Sequence, residues 1–165
     1  GYRCNVDYKD EFKYYSLFVG SNVLGGGPHS KLFVNVREKE SLCYYIYSSL
    51  EKYKTSMFIS SGIESENYDK TVELIGEQLK SLKEGKISDE ELLNSKSAII
   101  SSLKTIKDSL GGSSDFYFSQ SMGGTNTTVE KIIEMIEKVT VSDIVEAFKN
   151  IELDTIYFLS NNKEA

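Results

Sequence analysis

"LCYYIYSSLEKYKTSMFISSGI", residues 42–63, carries the pattern from which the fold is read. Between Leu42 and Leu50, Tyr44, Ile46 and Ser48 alternate with Tyr45, Tyr47 and Ser49. A period of two in a tyrosine-rich run predicts a strand. Lys52-Tyr53-Lys54 reads as a turn and Thr55 to Ile63 as a second strand. So short a connection makes the pair antiparallel.

On both sides of this hairpin the apolar spacing becomes helical. Upstream, Asp10 can cap a helix to about Leu24, with Phe12, Tyr15, Phe18 and Val19 on one stripe and Gly25 at its end. Pro28 suits the first turn of a second, short helix lined by Leu32, Phe33 and Val36. Downstream, Asn67 caps a helix with Val72, Ile75, Leu79 and Leu82 inward, ending at Gly85. Ser88 and Glu91 form a capping box that opens a longer helix. Its stripe, Leu92, Ile99, Leu103, Ile106 and Leu110, stops at Gly111-Gly112, a length of roughly 33 Å at ~1.5 Å per residue. "DFYFSQSM" (115–122) is read as a further short helix, Thr127 and Glu130 as the cap of the next, and Ser142 as the start of the last. "LDTIYFLS" (153–160) reads as a closing strand and 161–165 as a loose tail. Residues 2–8 are short and polar, at most the tail of a strand.

Segregated strands and helices predict an α+β fold, a layered sandwich of a small mixed or antiparallel sheet covered by helices. Three strands make a thin sheet, so a fourth is expected from residues 2–8 or from chain preceding them. The 165 residues are read as one domain, 1–165, and the Gly-Tyr-Arg start without methionine points to a fragment of a longer chain.

Composition excludes several chemistries. A net charge of −6 favours neither nucleic acid nor an anionic membrane. No apolar run approaches the ~20 residues of a membrane helix. Cys4 and Cys43 stand far apart without a CxxC, so a reduced, cytoplasmic setting is expected. A catalytic zinc usually takes three protein ligands. His29 is the only histidine, so neither a zinc site nor a serine or cysteine triad is expected in this chain.

"GGGPHSK" (25–31) places glycines before a helix, the layout of an anion site. It matches neither GxxxxGK[ST] nor a GxGxxG within a βαβ unit. The alternative is a structural loop in which Gly25, Gly26 and Gly27 let two helices turn tightly, one of them at positive φ. Arg37 and Tyr44 are open in the same way. Arg37 is either a solvated charge or a donor, and Tyr44 either a strand tyrosine or a second donor on the same edge. Together they suit a peptide carbonyl.

"NVLGGGPHSKLFVNVREKESLCYYIYS" (22–48) closely resembles the signature of the M16 (pitrilysin-like) zinc peptidase family in its C-terminal, zinc-lacking half. Leu24 to Gly27, Ser30, Leu32-Phe33, Arg37-Glu38-Lys39 and Leu42-Cys43-Tyr44 fill it. "GKISDEELLNSKSAI" (85–99) and "VTVSDIVEAF" (139–148) extend the resemblance to about residues 10–160. Within the family the chain looks most like the inactive subunit of Gram-positive two-subunit peptidases. The resemblance implies the LuxS/MPP-like layered fold, two halves closing around a peptide chamber, and zinc held by H-x-x-E-H in the other half. It implies Arg37 and Tyr44 as substrate-binding residues, no catalytic residue and no cofactor in this chain, and two partners: a peptide substrate and a zinc-bearing M16 half or subunit, joined as a heterodimer. This chain alone is expected to be inactive. A purely structural scaffold domain of the same fold is the alternative.

Overall fold

A computed structural model describes residues 1–160. In chain order the elements are β1 (Tyr2–Arg3), α1 (Glu11–Gly25), a π-helical segment (Phe33–Glu38), β2 (Cys43–Glu51), β3 (Ser56–Ile63), a 3₁₀ turn (Ser65–Asn67), α2 (Tyr68–Lys83), α3 (Asp89–Ile106), α4 (Leu110–Met122), α5 (Val129–Lys138), α6 (Val141–Phe148) and β4 (Glu152–Leu153). The strands form one antiparallel sheet in the order β2-β3-β1-β4. The predicted hairpin is present, with Ile46 opposite Ser61 and Leu50 opposite Met57 facing the core. Tyr2–Arg3 supplies the expected fourth strand.

Helix α1 organises the core. Asp10 caps it, accepting from the Lys13 amide at 3.4 Å. The predicted single stripe is only half of what is buried: its Tyr15 and Val19 are buried, Phe12 is exposed and Phe18 half-buried, and Tyr14, Leu17, Val23 and Leu24 outside it are buried as well. These residues surround the helix because the sheet covers one side and α3, α5 and α6 the others. Two small residues permit this. Gly20 lies against Ile144 and Phe148 of α6. Gly25 lies against the β2 backbone, where a Cβ would stand 2.5 Å from the Ser48 amide nitrogen. The Ser48 hydroxyl donates to the Ser21 carbonyl at 2.6 Å, so the polar groups at this helix–strand contact are satisfied.

Several boundaries differ from the sequence reading. The long helix breaks at Ile106, and Ser109 restarts it as α4 by accepting from the Gly112 amide at 3.1 Å, so Gly111-Gly112 begin a helix rather than end one. Leu110 is accordingly 95% exposed. Pro28 lies in the turn before the short helix, and Ser30 takes the cap position, its carbonyl accepting from Val34. Asn67 caps nothing with its side chain, which reaches the Leu42 carbonyl instead. Thr128, not Thr127, caps α5, and Thr140 with Asp143 boxes the start of α6 ahead of Ser142. The closing strand is only Glu152–Leu153, because β1 offers it two pairing residues and the Gly1 carbonyl takes the Asp154 and Thr155 amides. Among the described residues the glycines at positive φ are Gly85 and Gly124, so none of Gly25 to Gly27 adopts it. The expected loose tail at 161–165 lies outside the described residues.

Candidate functional site

Arg37 is carried by irregular backbone. After one turn at Lys31–Leu32 the helix widens, and the Lys39 amide donates to the Val34 carbonyl five residues back at 3.1 Å. Such π-helical turns are rare and frequent at functional sites. Leu32 and Val36 are fully buried and fix the segment, which leaves Arg37 on the exposed side. Its guanidinium lies 4.6 Å from the centre of the Phe33 ring. Two nearby charges are engaged elsewhere: Lys39 donates to Asn35, and Glu40 pairs with Lys70. Among the described residues no hydrogen bond or ion pair occupies the Arg37 side chain. The segment ends at Ser41, a non-glycine at φ 54°, whose amide donates to the Arg37 carbonyl at 3.1 Å.

Tyr44 is also on irregular backbone. Cys43 pairs with Ile63 and Tyr45 with Gly62, so Tyr44 is the extra residue of a β-bulge. A bulge re-aims the side chain it carries. Tyr44 is 68% exposed, and its hydroxyl donates to Glu64, the residue that follows β3. That hydrogen bond, with the carboxylate's charge, holds the phenol above its ordinary pKa. Between the two candidates sits Cys43, half-buried, its thiol pushed up by burial and drawn down less strongly by Ser61 and by the charge of Arg37. Arg37 thus lies near enough to the start of β2 for its charge to act on the Cys43 thiol, and Tyr44 is the next residue of that strand. Their tips have different neighbours, Phe33 for one and Glu64 for the other.

Sequence reasoning missed Glu64. No motif marks it, and only the bulged register of β2 on β3 brings it to a tyrosine 20 positions away. It also missed the aromatic face beside the site, where Tyr45 and Tyr47 stack at 6.1 Å, both exposed. Gly62 lies beneath the Tyr45 ring, since a Cβ there would come within 2.5 Å of Cε1. The alternation in residues 45–49 held the signal for that face.

The glycine loop is built into the fold by its lysine. Lys31, 8% exposed, meets the Glu91 carboxylate at 2.9 Å and 3.2 Å. Glu91 completes the predicted capping box by accepting from the Ser88 amide at 2.8 Å. The cation nearest the glycines is therefore already neutralised, which removes the main attraction for an anion at "GGGPHSK". Burial pushes the Glu91 carboxyl up, but the Ser88 amide and Lys31 together hold it below the ordinary value. A carboxylate depressed in the folded state contributes stability above its unfolded pKa, about 4.3, and loses that contribution as pH falls through the folded value. Glu91→Gln leaves Lys31 buried beside a neutral partner and is expected to cost about 2 kcal/mol at neutral pH. Denaturant melts should show the difference from wild type shrinking as pH falls below the unfolded value and through the folded one, as wild-type Glu91 takes up its proton. An equal deficit at pH 3 and pH 7 would refute the pairing.

The donor set does not fit a zinc ion. His29 is exposed on a groove of about 420 Å³ with Lys31, Asn35, Lys39, Glu90 and Asn94. Among the described residues no group of three or more His, Cys, Asp or Glu is placed to hold a metal. Nor is any helix among them long and apolar enough to cross a membrane.

Residues 4–99 match the family model described as the peptidase M16 inactive domain. The chain belongs to the peptidase M16 family, as an inactive domain. It is 38% identical over 165 residues to the "probable inactive metalloprotease YmfF" of Bacillus subtilis, covering all of this chain and 38% of that protein. It is 32% identical over 133 residues to the "uncharacterized zinc protease YmxG" of the same species, covering 79% of this chain and 32% of that one. A conserved protein from Enterococcus faecalis superposes with a TM-score of 0.85 at 34% identity, over 92% of this chain and 36% of its own. A peptidase M16 inactive domain from Pseudomonas fluorescens shares the fold, with a TM-score of 0.74 at 20% identity over 91% of this chain and 38% of its own. This M16 domain spans less than two-fifths of the length of these relatives.

Proposed function

We propose that this M16 domain is the non-catalytic, substrate-gripping half of a metallopeptidase, hydrolysing peptides together with a zinc-bearing M16 half or subunit. The observation that carries the reading is the presentation of Arg37: an exposed guanidinium with no carboxylate partner among the described residues, held on a π-helical turn seven positions before a bulged tyrosine. Side chains held this way are costly in backbone regularity and suited to meeting something outside the domain. A guanidinium offers donors in a fixed fork, which fits a substrate carbonyl as negative charge develops on it. This chain holds the peptide, and the metal and its water belong to the partner.

A scaffold role is favoured by one feature, the exposed Leu110, Phe118 and Met122 of α4, which suit a protein contact. Reconstitution separates the two. The chain carrying this domain is mixed with the zinc-bearing M16 protein of the same cell, and cleavage of a fluorogenic peptide library is compared with that of each protein alone. Gripping predicts at least about tenfold more cleavage from the pair, the weight of one well-placed hydrogen bond. Co-elution on gel filtration with cleavage unchanged from the zinc-bearing protein alone would overturn gripping in favour of the scaffold.

A further inference from the structure

The one proton of the Tyr44 hydroxyl is already given to Glu64. A phenol has a single proton to donate and lone pairs with which to accept. Held in this way, Tyr44 offers a third group an acceptor and no donor. Arg37, seven residues earlier, has the opposite character, since a guanidinium only donates.

Glu64 is well placed to hold the phenol. It is extended, at φ −73° and ψ 146°, and its carbonyl accepts from the Asn67 amide at 3.0 Å, which ties it to the 3₁₀ turn. Among the described residues no lysine or arginine pairs with its carboxylate, so Tyr44 is the group it serves. Tyr44 needs such a holder. It lies in a bulge, outside the regular ladder, and at 68% exposure little packing fixes its ring.

We infer that Glu64 is a positioning residue that keeps the Tyr44 oxygen as an acceptor for a substrate backbone N–H, while Arg37 donates to a substrate carbonyl. The inference rests on the gripping role proposed above. It also states which peptides are taken. A peptide unit offers one N–H and one C=O, and a donor–acceptor pair reads both without reading the side chains. The preferred substrate is an extended segment with a free N–H at the Tyr44 position, so proline is rejected there.

The test uses the reconstituted pair and a cleavable peptide in which each backbone N–H is replaced in turn by an ester oxygen. At one position the ester should lower kcat/KM about tenfold for wild type and change nothing further for Tyr44→Phe, which has no oxygen to accept with. Glu64→Ala should lower kcat/KM about tenfold, with no added loss in the Glu64→Ala/Tyr44→Phe double variant. Glu64→Gln, whose carbonyl still accepts, should restore most of the rate. In Glu64→Ala the NMR titration of the Tyr44 ring should also shift toward that of a free tyrosine. If no ester position behaves in this way, or Glu64→Ala cleaves at the wild-type rate while Arg37→Ala is impaired, the inference is overturned and gripping stands. Wild-type rates for Arg37→Ala and Tyr44→Phe would overturn both.

Discussion

Arg37→Ala is expected to lower kcat/KM of the reconstituted pair by ~10- to 1000-fold, and Tyr44→Phe by a factor in the same range, while the domain's own Tm hardly moves. The Arg37 estimate follows from the cost of deleting one preorganised donor at a developing oxyanion, about 10²- to 10³-fold in well-studied sites; Tyr44→Phe deletes an acceptor and belongs at the tenfold end. The stability estimate follows from what Arg37 touches. Its contact with Phe33 is an exposed cation–π pair, worth about 0.5–1 kcal/mol. In a domain of this size, 1 kcal/mol moves Tm by roughly 2–4 °C. Tyr44 is exposed and its hydroxyl bonds to an exposed glutamate, so removing it takes nothing from the core. The contrast between the two readouts is the point of the experiment. Variants that melt many degrees lower while the pair cleaves at the wild-type rate would make Arg37 and Tyr44 packing residues and end the gripping assignment.

Gly25→Ala is expected to destabilise the domain by about 3 kcal/mol, the upper part of the range for overpacking a core. In an open helix the same change would stabilise by about 0.5–1 kcal/mol, because alanine is the better helix former. Here the added methyl would stand 2.5 Å from the Ser48 backbone nitrogen, which cannot move without taking β2 and the Ser21–Ser48 hydrogen bond with it. Two controls bracket the result. At Gly27 a Cβ meets nothing within 4 Å, so Gly27→Ala should change stability by no more than about 0.5 kcal/mol. Gly76, exposed on α2 with open space around it, should gain about 0.5–1 kcal/mol on becoming alanine. Urea melts of the three variants decide it. Equal stability at positions 25 and 27 would show that the glycines are kept for something other than the helix–strand contact.

Features that depend on neighbours along the chain could be read from the residues alone. The alternation from Tyr44 to Ser49 needs only a period of two, and the hairpin formed where it was read. Ser88 and Glu91 sit three apart, so their capping box closes within one turn. The pieces of the proposed site, Arg37 and Tyr44, could be named as residue types because a family signature keeps its spacing in one dimension.

Features that need a distant partner emerged only with packing. Local spacing favoured Thr127, three residues before Glu130, yet Thr128 caps α5 while the Thr127 hydroxyl is bound to Glu11 of α1. Residues 153–160 have strand composition, but a strand needs a neighbour, and β1 supplies only Tyr2 and Arg3. The burial of α1 on several sides reflects the layers packed around it, which no stripe in its own sequence could declare. The three glycines suggested left-handed turns, whereas Gly25 is required by an approaching strand 23 positions later in the chain. The site followed the same division. Its candidate arginine and tyrosine could be named from the sequence, but the bulge beneath Tyr44 and the approach of Glu64 arise only when β2 pairs with β3, and the widened turn beneath Arg37 is held by the burial of Leu32 and Val36. Hydrogen-bond register is set by the packed sheet and not by the order of residues along one strand.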